Sequence, residues 1–273
     1  MNKQKLITIL IIILFFVDLY VMIFWSGSEY VDLSKNVLLS VGQVIAIAGG
    51  IYAVKKFGRN NKTGKTVSIF TLGLFFWMLG NIIFATTDFL HGQAEFPSMA
   101  DVSIFIGYAL LLASLLHETR SRNVSLTRIQ KLLLAIVALL TSFLVLYFNV
   151  FLVFDPATPI LVTVATIIYS LADILLATTL ILVLILASTY SGGKLFYPWF
   201  YLFIAVTCML IGDALFSIWL DSYLNKEGYY LLIDAVWRLG YVFFAIGLFN
   251  LGFIIENIQK KITIDTLALK NKN

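Results

Sequence analysis

The chain has 273 residues, of which 60% are hydrophobic and only 12% charged, with a mean hydropathy of +0.95. Soluble domains carry about 25% charged residues, so composition excludes a soluble globular protein and points to an integral membrane protein. The net charge of +4 comes from lysines and arginines scattered at the edges of apolar runs, which excludes a nucleic-acid groove, and the lone Cys208 excludes a disulfide framework.

Apolar runs near the 20 residues needed to cross a bilayer recur at about 6–26, 36–55, 66–88, 99–117, 131–153, 159–187, 196–220 and 229–250. Eight runs of this length with short polar joins predict an all-α protein of eight transmembrane helices, and exclude a β-barrel with its short alternating strands. The first run follows Met1–Lys5 as a signal peptide would. It is longer than such a segment and has no small-residue cleavage site, so it reads as an uncleaved helix. With the N-terminus inside, 16 lysines and arginines fall on the inner side and only Lys35 and Lys226 on the outer, with Arg238 within the last run. The positive-inside rule then puts both termini in the cytoplasm. The expected location is the plasma membrane.

In chain order, the first run carries Asp18 and the second Gln43. The basic join at 55–65 reads as a topology anchor. The third run ends in Gly80-Asn81 and gives way to an outer loop carrying Asp88, His91 and Glu95. Pro97-Ser98 with Asp101 is a helix-start signature for the fourth run, where Asp101 suits the positive end of the helix dipole. The fifth run is nearly featureless and stops at Asp155-Pro156. The sixth carries Asp173, the seventh Gly212-Asp213, and the eighth Asp234, Arg238 and Gly240-Tyr241 before a basic tail that continues the last helix inward.

Two stretches, 80–108 and 212–241, follow one plan. The spacing from Gly80 to Asp101 matches that from Gly212 to Asp234 to within one position. A Gly-Tyr pair, Gly107-Tyr108 or Gly240-Tyr241, then follows each aspartate at the same offset. Gln43 precedes Gly80, and Asp173 precedes Gly212, by spacings that are also nearly equal. The ordered pairs Gln43/Asp173, Asn81/Asp213, Asp101/Asp234 and Tyr108/Tyr241 predict two four-helix repeats, 1–126 and 127–255, followed by a cytoplasmic tail, 256–273. An even number of helices per repeat makes them parallel, related by an axis along the membrane normal.

A charged group near the bilayer centre costs at least about 2.5–3.5 kcal/mol on insertion scales, so buried charges default to functional candidates. Asp173, Asp213, Asp234, Arg238 and Tyr241, with Gln43, Asn81 and Asp101 as their first-repeat counterparts, form the candidate ligand-binding set. Asp234 and Arg238 stand one turn apart and can pair. Three acids against one base call for protons, a cation or water, hence a polar pocket facing outward between the sixth, seventh and eighth helices. A buried hydrogen-bond network that only holds helices together is the plainer alternative. No catalytic residue and no metal ligand set is assigned: His91 and His117 fall at opposite membrane faces, and neither a P-loop nor a G-x-S-x-G motif occurs. The last helix has no lysine within the membrane for a retinal Schiff base, and the cofactor question stays open. Asp173 and Asp213 faintly resemble the aspartate pair of presenilin-like intramembrane proteases. Against that stand Leu210 where a glycine belongs, the missing Pro-Ala-Leu motif, and an Asp173 that counts some 10 Å deeper than Asp213 at about 1.5 Å per residue.

The segment Phe96–Leu116, with Gly80-Asn81 before it, resembles the N-terminal multi-helix membrane domains of prokaryotic diguanylate cyclases and histidine kinases. Gly80, Asn81, Pro97, Ser98, Ala100, Asp101, Gly107 and Tyr108 carry the resemblance, whose core is a "PS-x-AD…GY" pattern. It implies a sensor domain coupled to a cytoplasmic output. The chain ends at Asn273, a short tail past the last run, which leaves a free-standing copy or a detached membrane domain. The reading is thus a membrane sensor that binds a small or ionic ligand. Its expected partners are the lipid bilayer, a small ligand or cation, a cytoplasmic signalling protein and a second copy in a homodimer. A secondary transporter, an intramembrane enzyme and a structural subunit are the alternatives.

Overall fold

The computed structural model describes residues 3–24, 29–91, 96–121, 126–189, 195–225 and 227–270, with side chains omitted for 29–40 and 264–270. Among the described residues every regular element is a helix. They are α1 (Lys3–Phe24), α2 (Glu29–Phe57), α3 (Lys62–His91), α4 (Met99–Ser121), α5 (Arg128–Leu146) running into a π-helical turn (Tyr147–Phe151), α6 (Ile160–Thr189), α7 (Phe196–Ile218), the short α8 (Leu220–Leu224) and α9 (Tyr230–Lys270). Seven of these, α1, α3, α4, α5 with its π turn, α6, α7 and α9, are long and apolar enough to cross a membrane. The run at 36–55 forms α2, 29 residues long. The protein is a multi-pass helical bundle suited to a bilayer.

Local chemistry sets the helix ends. Thr127 and Gln130 form a reciprocal capping box that starts α5. Ser98 caps α4: its hydroxyl accepts from the Ala100 amide at 3.2 Å, while Asp101 Oδ2 accepts from the Ser98 amide. Gly58, at φ +80°, ends α2 in the left-handed conformation that glycine adopts without strain. One expectation about a boundary changes, and the continuation of the last helix into the tail is as expected. Helix α3 continues through Asp88 to His91, so those residues belong to a helix and not to a loop, while Glu95 lies outside the described residues. Polar side chains near the end of a membrane helix meet headgroups and water and do not stop it. Helix α9 runs unbroken for 41 residues, about 60 Å at 1.5 Å per residue, twice the hydrocarbon thickness.

Small residues bring the helices together. A Cβ on Gly107 of α4 would stand 2.9 Å from the Gly73 carbonyl of α3, and one on Gly240 of α9 would stand 3.2 Å from the Ala205 carbonyl of α7. In membranes, where burial between helices gains little over lipid, such close approach is what packing depends on. Helix α9 is the hub, packed against α7, α2 and α1. Across the middle, α2 packs on α9 and α6 packs on α4, around a core of Phe70, Leu74, Leu111, Leu180, Leu202 and Phe244. Helix α1 leans on this bundle from outside. Its apolar residues are largely exposed, and Gln4 donates to Asn250 of α9 at 2.9 Å.

Candidate functional site

One end of the bundle opens into a cavity of about 810 Å³, within the range of small-molecule sites. The ends of α3, α4, α7 and α9 contribute Asn81, Asp101, Asp213, Asp234 and Tyr241 to its wall. The π turn, the start of α6 and α8 complete it with Asn149, Tyr169 and Tyr223. Five of the eight residues expected at a binding site therefore share one cavity.

The other three stand behind or beside it. Asp173 is 1% exposed on α6 and lies beyond the wall, joined to it through Tyr108, whose hydroxyl donates to Asp173 Oδ1 at 2.6 Å and lies 3.0 Å from Asp213 Oδ2. Gln43 is buried on α2 and faces Tyr241, with neither amide atom in hydrogen-bonding geometry. Arg238 is 3% exposed and reaches away to pair with Asp18 of α1. It therefore anchors the outlying helix and does not line the cavity.

The depth inferred for Asp173 is overturned by this contact. Counted from the outer ends of the two helices, Asp173 falls well below Asp213. Counted instead from the ends that flank the 190–194 connection, Thr189 of α6 and Phe196 of α7, the two aspartates agree to within one position and are level. Helix α6 has 30 residues against 23 in α7, and the surplus extends past α7 as cavity wall. One phenolic proton serves two carboxyls here, and Asp173 Oδ2 has no hydrogen-bond partner.

Each of the four acids expected at the site is held by an aromatic donor. Trp237 Nε1 donates to Asp213 at 2.9 Å, the Tyr223 hydroxyl to Asp234 at 2.9 Å, and the Tyr169 hydroxyl to Asp101 at 2.6 Å. Asn81 Nδ2 donates to the Tyr241 hydroxyl at 3.0 Å. The Asn81–Tyr241 and Asp213–Tyr108 contacts each join a residue of one expected repeat to a residue of the other, at the same pair of aligned positions. The rings of Phe216, Tyr223 and Trp237 form a cluster with centroids 5.1–5.7 Å apart, and Phe96 meets Phe216 edge-on at 5.5 Å.

Sequence reasoning misses Tyr169, Tyr223, Trp237 and Phe216, and also Asn149. Tyr169 has a signal, because it lies one turn before Asp173 on the same helix face. Asn149 has one too, as the lone amide in an apolar run that otherwise reads as featureless. It sits on the π turn, 2% exposed. Such turns within α-helices are frequent at functional sites. Among the described residues, no group of three or more His, Cys, Asp or Glu side chains is arranged to hold a metal ion. No protein-family model, curated protein or solved structure matches the chain.

Proposed function

We propose that this protein is a membrane receptor-like module: a small or ionic ligand enters the polar cavity from outside, and α9 passes the binding event to the cytoplasmic side. The observation that carries this reading is the cavity itself, an 810 Å³ space walled by Asn81, Asp101, Asp213, Asp234 and Tyr241. A network meant only to hold helices together needs no such space. Helix α9 supplies the link, since Asp234, Trp237 and Tyr241 line the cavity near one end of a continuous helix that extends to Lys270.

The proposed frame is eight transmembrane helices in two parallel repeats, both termini inside, in the plasma membrane. The crossed packing of α2 on α9 and α6 on α4 supports it, as do the crossed contacts Asn81–Tyr241 and Asp213–Tyr108. An exchange of equivalent partners is what a two-fold axis between repeats produces. Coupling to a cytoplasmic signalling partner, directly or as a homodimer, rests on the resemblance to bacterial sensor domains.

Transport is the less favoured reading. No described helix is broken at mid-length by the glycine or proline interruptions that mark transporter sites. Intramembrane proteolysis is disfavoured by the Tyr108 hydroxyl, which occupies the place between Asp173 and Asp213 that an attacking water needs.

The test is a thermal-stability screen of the purified protein against inorganic cations, amino acids, amines and organic acids. Saturable stabilisation by one class, abolished in Asp213→Asn while the unliganded melting temperature holds, is expected. A screen in which no class stabilises the protein overturns the receptor reading. Proteoliposomes loaded with the stabilising solute then separate binding without flux, expected here, from transport.

A further inference from the structure

The charge and ring content of the cavity say more about its occupant. Five aspartates line it, Asp101, Asp155, Asp213, Asp221 and Asp234, and no lysine, arginine or histidine among the described residues does. Eleven of the lining residues are aromatic. Phe216, Tyr223 and Trp237 stand as a three-ring cluster, with Asp213 hydrogen-bonded to Trp237 on one flank and Asp234 to Tyr223 on the other. Aromatic faces attract cations through the ring quadrupole, and such cages recognise ammonium groups.

An independent observation names the missing chemistry. Asn149 lines the cavity from the π turn, is 2% exposed, and its side-chain Oδ1 has no hydrogen-bond partner. A buried acceptor without a donor costs about 1–3 kcal/mol, so an orphan of this kind marks a place for a ligand donor. A quaternary ammonium has no N–H to offer, whereas a protonated amine has one to three. A bare metal ion is the poorer fit, because Asp101, Asp213 and Asp234 stand on separate helices and already accept hydrogen bonds from aromatic donors, and no group of three or more His, Cys, Asp or Glu among the described residues is arranged to hold a metal.

We propose that the cavity binds a protonated organic amine with an apolar body. The ammonium group is held between Asp213, Asp234 and the Asn149 side-chain oxygen, and the apolar body lies against Phe216, Tyr223 and Trp237. This rests on the receptor reading above and specifies its ligand class.

Trp77, Trp219 and Trp237 line the cavity, so intrinsic tryptophan fluorescence reports occupancy. The probes are phenethylamine and hexylamine, their neutral alcohol counterparts, the matching carboxylic acids, and phenyltrimethylammonium, titrated into the detergent-purified protein. A saturable fluorescence change with the amines, absent with the acids and at least about tenfold weaker with the alcohols and the quaternary ion, is expected. Asn149→Leu should weaken amine binding about tenfold or more, as loss of one hydrogen bond to a charged group does. Asn149→Asp should tighten it, and that gain cannot come from misfolding. Acids or alcohols binding as well as amines, or amine affinity indifferent to Asn149, would overturn the amine inference while leaving the receptor reading intact. Silence from every probe would also overturn the amine inference, while the receptor reading falls only if the stability screen finds no stabilising class.

Discussion

At the scale of single residues, the site is organised by aromatic hydroxyls and indole N–H groups set against carboxyls. Tyr108 is the sharpest case, because one hydroxyl serves Asp173 and Asp213 together. Removing it leaves buried carboxyl oxygens without a donor, which costs about 1–3 kcal/mol. Tyr108→Phe should therefore lower stability by that amount in reversible denaturation of the solubilised protein. Tyr241→Phe should cost less, since its partner Asn81 is neutral and hydrogen bonds to charged groups are about twice as strong. Equal effects would mean that the paired acids carry no special weight. The acids themselves are legible in the sequence, because charge inside an apolar run stands out. Their partners are not. Tyr169 and Tyr223 are two among 13 tyrosines, and which of them meets an acid depends on helix rotation and tilt that composition does not encode.

At the scale of elements, the helices meet where side chains are absent. Gly107→Ala would push a methyl group against the Gly73 carbonyl and the Trp77 ring, so overpacking of about 1–3 kcal/mol is expected. Gly42→Ala would meet only Tyr241 Cβ, at an ordinary 3.5 Å, and should change the melting temperature little. The reverse order would contradict the packing described. The polar contacts of helix α1 include Arg238 with Asp18 and Gln4 with Asn250. Asp18→Asn should therefore loosen α1 and speed proteolysis at Lys3 and Lys5 of the purified protein several-fold. An unchanged rate would leave α1 held by lipid and packing alone. The existence and order of these helices follow from run length, because every membrane span must satisfy its own backbone. Relative depth does not follow. Counting Asp173 from the outer end of α6 fails because that helix overshoots its neighbour. The Asp18–Arg238 pair is equally hidden, since its members stand far apart in the chain and Asp234, one turn from Arg238, is the nearer candidate.

At the scale of the molecule, the bundle opens at one end into the cavity. The cavity occupies the end where the sequence places the outer loops. At the opposite end Glu256 of α9 binds Tyr52 and Lys56 of α2, with Lys56 Nζ at 3.2 Å. Helix α9 thus reaches both ends of the bundle. The proposed repeat rests on matched spacing in the sequence, whereas the crossed contacts Asn81–Tyr241 and Asp213–Tyr108 emerge only when the helices are packed. The central claim is that the cavity is open to the outside of the cell, and Ser217 on its wall offers a direct probe. Ser217→Cys, in a Cys208→Ala background, should be labelled in intact cells by a membrane-impermeant thiol reagent and protected by any solute that stabilises the protein. Labelling only after the membrane is opened, or none at all, would contradict the outward-facing site.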